Sequence, residues 1–297
     1  MKKYNSKILL FGEHTINKDS QALAVPLPNF YGKWAYAADN VEKKQMNLKA
    51  FAHFLQKEKN VDELLEDLDV AAFSNELENG LYFQSSIPTG YGVGSSGALC
   101  AAVYDTFWEK KLTKNSVNFL TLKKILAAME SFFHGSSSGT DPLICYLSKP
   151  MLLESPNKIK VVNYNQLEQF QFFLLDTKMP RETSPFVHLF LEKCRNQDYF
   201  NRIQAEFNPV VDEAIAAFLS ASEDLLFESF HEISHFQFRY FSEMIPVDFR
   251  QVWLDGLASN HFKLKLCGAG GGGFILGLTS DFDKIRSEID FELTAIL

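Results

Sequence analysis

The stretch Pro88-Thr89-Gly90-Tyr91-Gly92-Val93-Gly94-Ser95-Ser96-Gly97-Ala98 constrains this chain more than any other. Glycines alternate with other residues, two hydroxyls follow, and then comes the small apolar run Ala98-Leu99-Cys100-Ala101-Ala102-Val103. That run has the composition of a buried helix. Glycine permits positive φ and lets backbone approach a ligand without an intervening Cβ. A helix that starts just after such a loop turns its unpaired N–H groups and the positive end of its dipole onto it. An anion is the natural occupant, and Ser95 and Ser96 add hydroxyls suited to a phosphate or a hard cation. Gly90, Gly92, Gly94, Ser95, Ser96 and Gly97 therefore read as a phosphate cradle.

The surrounding pattern supplies strands and helices. Residues 8–11 read as a short buried strand, 22–25 and 34–37 as two more, and 81–87 as the strand that leads into the loop. Residues 41–79 are charged and periodic and predict helices, as do 98–108 and the apolar stripe of 117–133. A second small-residue loop follows at 134–142, then strands at 151–153 and 160–162. Phe170-Gln171-Phe172-Phe173-Leu174-Leu175 is the strongest strand of the second half, and a domain boundary just before it gives domains 1–166 and 167–297. Helices fill 185–260, with Pro209 and Pro246 as starts or breaks. Lys263-Leu264-Lys265-Leu266 alternates like a strand, enters the glycine run 268–273, and leaves it as a strand at 274–278. Strands and helices without a regular βαβ rhythm favour an α+β fold.

Composition excludes several classes. A net charge of −8 without a basic cluster argues against nucleic acid as a partner. No apolar stretch approaches the roughly 20 residues of a membrane span. The first residues lack the apolar core and cleavage site of a secretion signal, so a soluble cytoplasmic protein is expected. The 28 phenylalanines predict an aromatic-heavy core. Cys100, Cys145, Cys194 and Cys267 are widely spaced, which reads as reduced thiols and not as a disulfide frame or zinc site.

Three short patterns match by chance. G-x-G-x-x-G occurs at 92–97 and again at 268–273, and a dinucleotide fold also wants an acidic residue ending a second strand about 20 residues on, whereas the residues after Gly97 read as helix. Residues 135–139 satisfy G-x-S-x-G, but a helix precedes them and Pro142 follows, the reverse of a nucleophile elbow. His231-Glu232-Ile233-Ser234-His235 satisfies H-E-x-x-H without any metzincin continuation and reads as a helix with two partly exposed histidines.

Other signals agree with the cradle. Lys7 stands at the head of a buried strand, and Glu130 and Asp141 flank the second loop, where one carboxylate could hold a metal while the other takes a proton. Four consecutive glycines at 270–273 are entropically costly and suggest a ligand backbone nearby.

Taken together, residues 7–14, 88–98 and 265–273 resemble the three motifs of the GHMP kinase superfamily in chain order. Residues 88–98 are similar to P-x-G-x-G-L-G-S-S-A, with Val93 for Leu and Gly97 for Ala. Within the superfamily the chain most resembles the mevalonate kinases. Gly12-Glu13-His14 followed by Ala22-Leu23-Ala24-Val25 matches their first motif in spacing, and Glu130, His134-Gly135, Ser138-Gly139 and Asp141 fit their E…H-G-x-P-S-G-x-D run. The segment Asp176-Thr177-Lys178-Met179-Pro180-Arg181-Glu182-Thr183 is similar to their N-T-K-V-P-R-x-T. Phe11 stands for a histidine of the pattern, Ser137 for proline and Pro142 for asparagine.

The resemblance implies a two-domain α+β fold, with an N-terminal domain like the second domain of ribosomal protein S5 and a ferredoxin-like C-terminal domain, and an active site between them. It implies ATP and Mg²⁺ as cofactors and mevalonate as acceptor, and leaves a homodimer open. Asp141 would be the base and Lys7 its catalytic companion. Gly90, Gly92, Gly94, Ser95, Ser96, Gly97 and Ser138 would bind the nucleotide, and Ser96 and Glu130 the metal. Glu13, His14, Thr183, Gly268, Ala269 and Gly270 would bind the acid substrate. A phosphomevalonate, galactose or other sugar or alcohol kinase of the same superfamily is the alternative, although Thr15 stands where galactokinases usually carry Asp. A decarboxylase of diphosphomevalonate does not normally carry Gly12-Glu13-His14. A non-catalytic binding module is the alternative from another class, against which the joint presence of Lys7, Glu130 and Asp141 argues.

Overall fold

A computed structural model describes residues 1–18, 20–37, 42–115, 118–155, 157–181 and 183–297, and of residues 17, 42–44 and 183 it describes the backbone alone. The chain runs through β1 (Tyr4–Phe11), β2 (Ala22–Tyr36), α1 (Glu42–Lys59), α2 (Val70–Glu78), β3 (Leu81–Ser85), α3 (Ser95–Phe107), α4 (Phe119–His134) and α5 (Thr140–Leu147). It continues through β4 (Met151–Ser155), β5 (Lys158–Val161), β6 (Gln171–Asp176), α6 (Thr183–Lys193), α7 (Gln197–Arg202), α8 (Asn208–Ser220) and α9 (Glu223–Tyr240). The last elements are α10 (Arg250–Ala258), β7 (Phe262–Leu266), β8 (Phe274–Thr279), α11 (Phe282–Glu288) and β9 (Leu293–Ile296). One sheet has the order β1-β2-β4-β5 with β3 also on β2, and the other the order β7-β8-β6-β9.

Two compact units emerge, each assembled from separate stretches. The first takes Met1–Lys7, Val25–Pro88 and Val93–Lys149, the second Ile8–Ala24, Thr89–Gly92 and Pro150–Leu297. In the first, the end of β2 pairs antiparallel with β3, from Gly32 opposite Ser85 to Tyr36 opposite Leu81. Trp34, Phe73, Phe83 and Phe107 cluster there with ring centroids 4.9–6.0 Å apart. Helix α3 buries Gly97, Ala98, Cys100, Ala101, Ala102 and Val103, small side chains that let neighbouring helices approach its backbone. In the second unit Ala22–Ala24 pair antiparallel with Met151–Leu153, and β6, β7, β8 and β9 form the antiparallel sheet. Phe11 lies 6.2–6.5 Å from the rings of Phe172, Phe218 and Phe230, so it serves the aromatic core of that unit.

Several local expectations change. The two strands expected at 22–25 and 34–37 are one strand of 15 residues that runs through Pro26 and Pro28. Proline removes a ladder donor, and these two fall between the stretch paired with β4 and the stretch paired with β3. Helix α4 begins at Phe119, and Val117, where a helix start is expected, lies outside the described residues. Pro209 opens α8 without breaking the run from α7, because a π-helical turn over Ile203–Phe207 lies ahead of it. Strand β7 is buried throughout, its two lysines included. Lys263 donates to the carbonyls of Gly256, Leu257 and Ser259 at the end of α10. None of the four cysteines forms a disulfide, and Cys100, Cys145 and Cys267 are buried.

Candidate active site

In the first unit the chemistry gathers around α3. Gly94 precedes the helix with φ of 83°, a left-handed conformation that favours glycine. A Cβ there would lie 3.1 Å from Lys7 Cγ, so the lysine side chain passes directly against the loop. Lys7 lies in the middle of β1, not at its head, and its backbone N–H donates to Val93 O at 3.1 Å. Its buried ammonium is 2.8 Å from Asp141 Oδ2. Asp141 stands in the first turn of α5, where the helix dipole favours a negative charge. The backbones of α3 and α5 touch at this point, since a Cβ on Gly97 would lie 3.0 Å from Asp141 C and Pro142 N.

Glu130, on α4, is buried and held at both oxygens. Ser96 Oγ donates to Oε1 at 2.9 Å, and Ser137 Oγ donates to Oε2. His134 Nε2 is 3.0 Å from Ser96 Oγ. A hydroxyl has one proton, and that of Ser96 goes to Glu130, so His134 is the donor in this pair. Burial pushes the Glu130 carboxyl up to about 7, helped by the Asp141 carboxylate, while the Ser137 and Ser96 hydroxyls and Lys7 oppose the rise. Ser95 opens α3 half-buried, and exposed Ser138 pairs with Thr140 Oγ1 at 3.1 Å before α5.

The second unit holds the remaining candidates. Glu13 and Lys265 form a buried ion pair, and the ammonium also donates to Leu266 O at 2.7 Å. Burial raises the Glu13 carboxyl and Lys265 opposes it. His14 donates from Nε2 to Ala269 O at 3.2 Å and packs against both Phe190 and Phe241, while its buried Nδ1 has no partner among the described residues. Burial lowers its pKa to about 4.

Arg181 ties the glycine segments of this unit together. Its N–H donates to Gly90 O at 3.0 Å, Nη1 to Gly270 O at 2.7 Å and Nη2 to Cys267 O at 3.0 Å. A Cβ on Gly92 would lie 2.2 Å from Nη2 and one on Gly268 2.6 Å from it. The space beside the glycine run, expected for a ligand backbone, is filled by the chain itself: Cβ atoms at 270–273 would strike Met244, Phe186, the Met179 carbonyl and the Tyr91 backbone. Thr183 opens α6, and its side chain lies outside the described residues.

Sequence reasoning passed over Arg181, Lys265, His134 and Ser137. Arg181 and His134 stand inside motif segments and were open to notice. Lys265 heads the third motif segment and Ser137 stands where the pattern carries proline, but neither residue type by itself pointed to the carboxylate it meets. The histidines of the H-E-x-x-H match lie on α9, His231 half-buried and His235 exposed. Among the described residues no group of three or more His, Cys, Asp or Glu is placed to hold a metal ion.

Residues 48–149 match the family model described as the GHMP kinases N-terminal domain. The fold of the whole chain is similar to L. major mevalonate kinase in complex with R-mevalonate (15% identity, 97% of this chain and 90% of that chain, TM-score 0.67). It is equally similar to Lactococcus lactis galactokinase complexed with galactose (16% identity, 99% and 92%, TM-score 0.67). Streptococcus pneumoniae phosphomevalonate kinase in complex with phosphomevalonate and AMPPNP follows (16% identity, 99% and 99%, TM-score 0.65). The chain thus has the two-domain α+β fold of the GHMP kinases, and residues 48–149 are similar to their N-terminal domain. Among curated proteins it resembles the mevalonate kinase of Dictyostelium discoideum, 20% identical over 246 residues. That match takes in 71% of this chain, which spans about 60% of the length of the curated relative.

Proposed function

We propose that this chain is an ATP-dependent small-molecule kinase that phosphorylates the 5-hydroxyl of mevalonate. The contact of 2.8 Å between Lys7 Nζ and Asp141 Oδ2 carries the reading. Phosphoryl transfer asks a protein chiefly for positioning and charge stabilisation. Asp141 takes the proton of the acceptor hydroxyl, and Lys7 beside it favours the ionised carboxylate and the developing alkoxide. The N-terminal N–H groups of α3 receive the nucleotide phosphates.

Ser96 Oγ and the Glu130 carboxylate are hard oxygen donors 2.9 Å apart. Two such groups suit Mg²⁺, which commonly takes one or two protein oxygens and completes its shell with phosphates and water. When bound, the ion supplies neutralisation of phosphate charge. Glu130 and Ser96 would hold it, and the Ser138 hydroxyl would add a phosphate donor.

The acid substrate falls to the second unit. Arg181 presents a guanidinium, the natural partner of a carboxylate. Its Nε is buried and without a partner among the described residues, like His14 Nδ1, which is free to accept from a substrate hydroxyl. Glu13, Thr183 and the backbone of Gly268, Ala269 and Gly270 complete this set. No helix among the described residues is long and apolar enough to cross a membrane.

A coupled ADP-release assay with separate acceptors tests the proposal. Turnover with mevalonate should far exceed that with phosphomevalonate or galactose. Preference for either of those moves the assignment to another kinase of the superfamily, and ADP release with none of them rejects it.

A further inference from the structure

Glu130 sits in the middle of a linear chain of donors. Gly139 N–H donates to Ser137 Oγ at 2.9 Å, and Ser137 in turn donates to Glu130 Oε2. On the other side His134 donates to Ser96, and Ser96 to Glu130 Oε1. Each hydroxyl receives an N–H, so its single proton is committed to the carboxylate. The two arms differ in what metal binding asks of them. To hold the ion, Ser96 would turn an oxygen lone pair to it and release Oε1. Ser137 has no such task, because its own oxygen is already engaged by Gly139 and its proton by Oε2.

We infer that Ser137 is a positioning residue that fixes the rotation of the Glu130 carboxylate and so aims Oε1 at the cation. The inference rests on the metal role given above to Glu130. It assigns a function to a position where the resembling pattern carries proline, which has neither hydroxyl nor donor. Glu130 is buried at 4% exposure, so its carboxylate takes its orientation from the protein's own donors. Loss of an outer partner of a metal ligand typically weakens metal binding about 10–100-fold.

The test is calorimetric titration of ADP into the intact protein across a Mg²⁺ series, with no turnover involved. In the wild type ADP affinity should rise with Mg²⁺, and Glu130→Gln should abolish the rise. Ser137→Ala should shift the Mg²⁺ midpoint upward by about 10-fold, with metal-free ADP affinity unchanged. Ser137→Thr, which retains the hydroxyl, should restore the midpoint, a rescue that a merely structural serine would not give. If Glu130→Gln loses the dependence while Ser137→Ala keeps the wild-type midpoint, the inference falls and the kinase reading stands. A wild type whose ADP affinity ignores Mg²⁺ overturns both.

Discussion

Lys265 on β7 places its ammonium on the carboxylate of Glu13, 252 residues away, with 1% and 3% of the two side chains exposed. The pair joins the segment after β1 to the entrance of the glycine run. Neither charge has access to water, so each depends on the other. Breaking such a buried pair from one side typically costs about 3–5 kcal/mol, more than the pair itself contributes. Lys265→Met should therefore lower unfolding free energy by about that amount in urea titrations, and Lys265→Met with Glu13→Gln should recover a large part of it. Equal losses in the single and double variants would show that the two groups do not depend on each other.

Asp141 and Lys7 act on the same proton in the proposed reaction. Removing a general base typically costs about 10²–10⁴-fold. Asp141→Asn should lose turnover on that scale while nucleotide affinity, read by calorimetry, stays nearly constant. Lys7→Met should match it in kcat and also weaken acceptor binding. Near-normal turnover in Asp141→Asn would remove the base from this residue.

Arg181 holds Gly270 and Cys267 through two separate nitrogens. Lysine is a point charge without the fork, so Arg181→Lys keeps the charge and loses the geometry. A hydrogen bond to a charged group contributes about 1.5–3 kcal/mol. The acceptor KM should rise at least about 10-fold on that scale, with a smaller change in kcat. Unchanged KM would leave Arg181 with a structural task only.

His14 links acidity to stability. Its pKa falls to about 4 in the folded chain because burial disfavours the imidazolium, against an ordinary value of 6.5. Between pH 6.5 and 4 the unfolded chain therefore binds the proton that the folded chain refuses. Stability from this group is complete above pH 6.5 and is lost as pH falls toward 4, by at most about 3 kcal/mol. His14→Asn, which tolerates the positive φ of 65° at this position, should flatten that slope in unfolding experiments at pH 4.5 and 7. An identical slope in both proteins would contradict the buried neutral imidazole.

The glycine cradle and the helix after it were legible because small residues, hydroxyls and φ-permissive glycines occur together for one physical reason. Lys7, Glu130 and Asp141 were legible as candidates through motif spacing, and the structure brings Lys7 against Asp141 and the charge of Asp141 near Glu130. The length of β2 was hidden because its two apolar pieces are separated by a stretch holding Pro26 and Pro28, around which the ladder changes partner. The burial of Lys263 and Lys265 was hidden for a different reason. Alternation marks two faces of a strand, but it does not say whether the charged face meets water or carbonyls and a carboxylate. Ser137 escaped because a loop serine carries no mark of the carboxylate that its hydroxyl reaches, seven residues back on α4.

The contact between α3 and α5 at Gly97 makes the mounting of Asp141 a matter of main chain against main chain. Apolar neighbours can be exchanged by mutation and repack without moving such a mount, so its tolerance to drift should be high everywhere except at one position. The alanine found there in the related pattern would wedge the two helices apart by a few tenths of an ångström in this chain. Residue 97 and the path of 141–142 are thus epistatic: a methyl group harmless in one background becomes a lever on the reactive carboxylate in another.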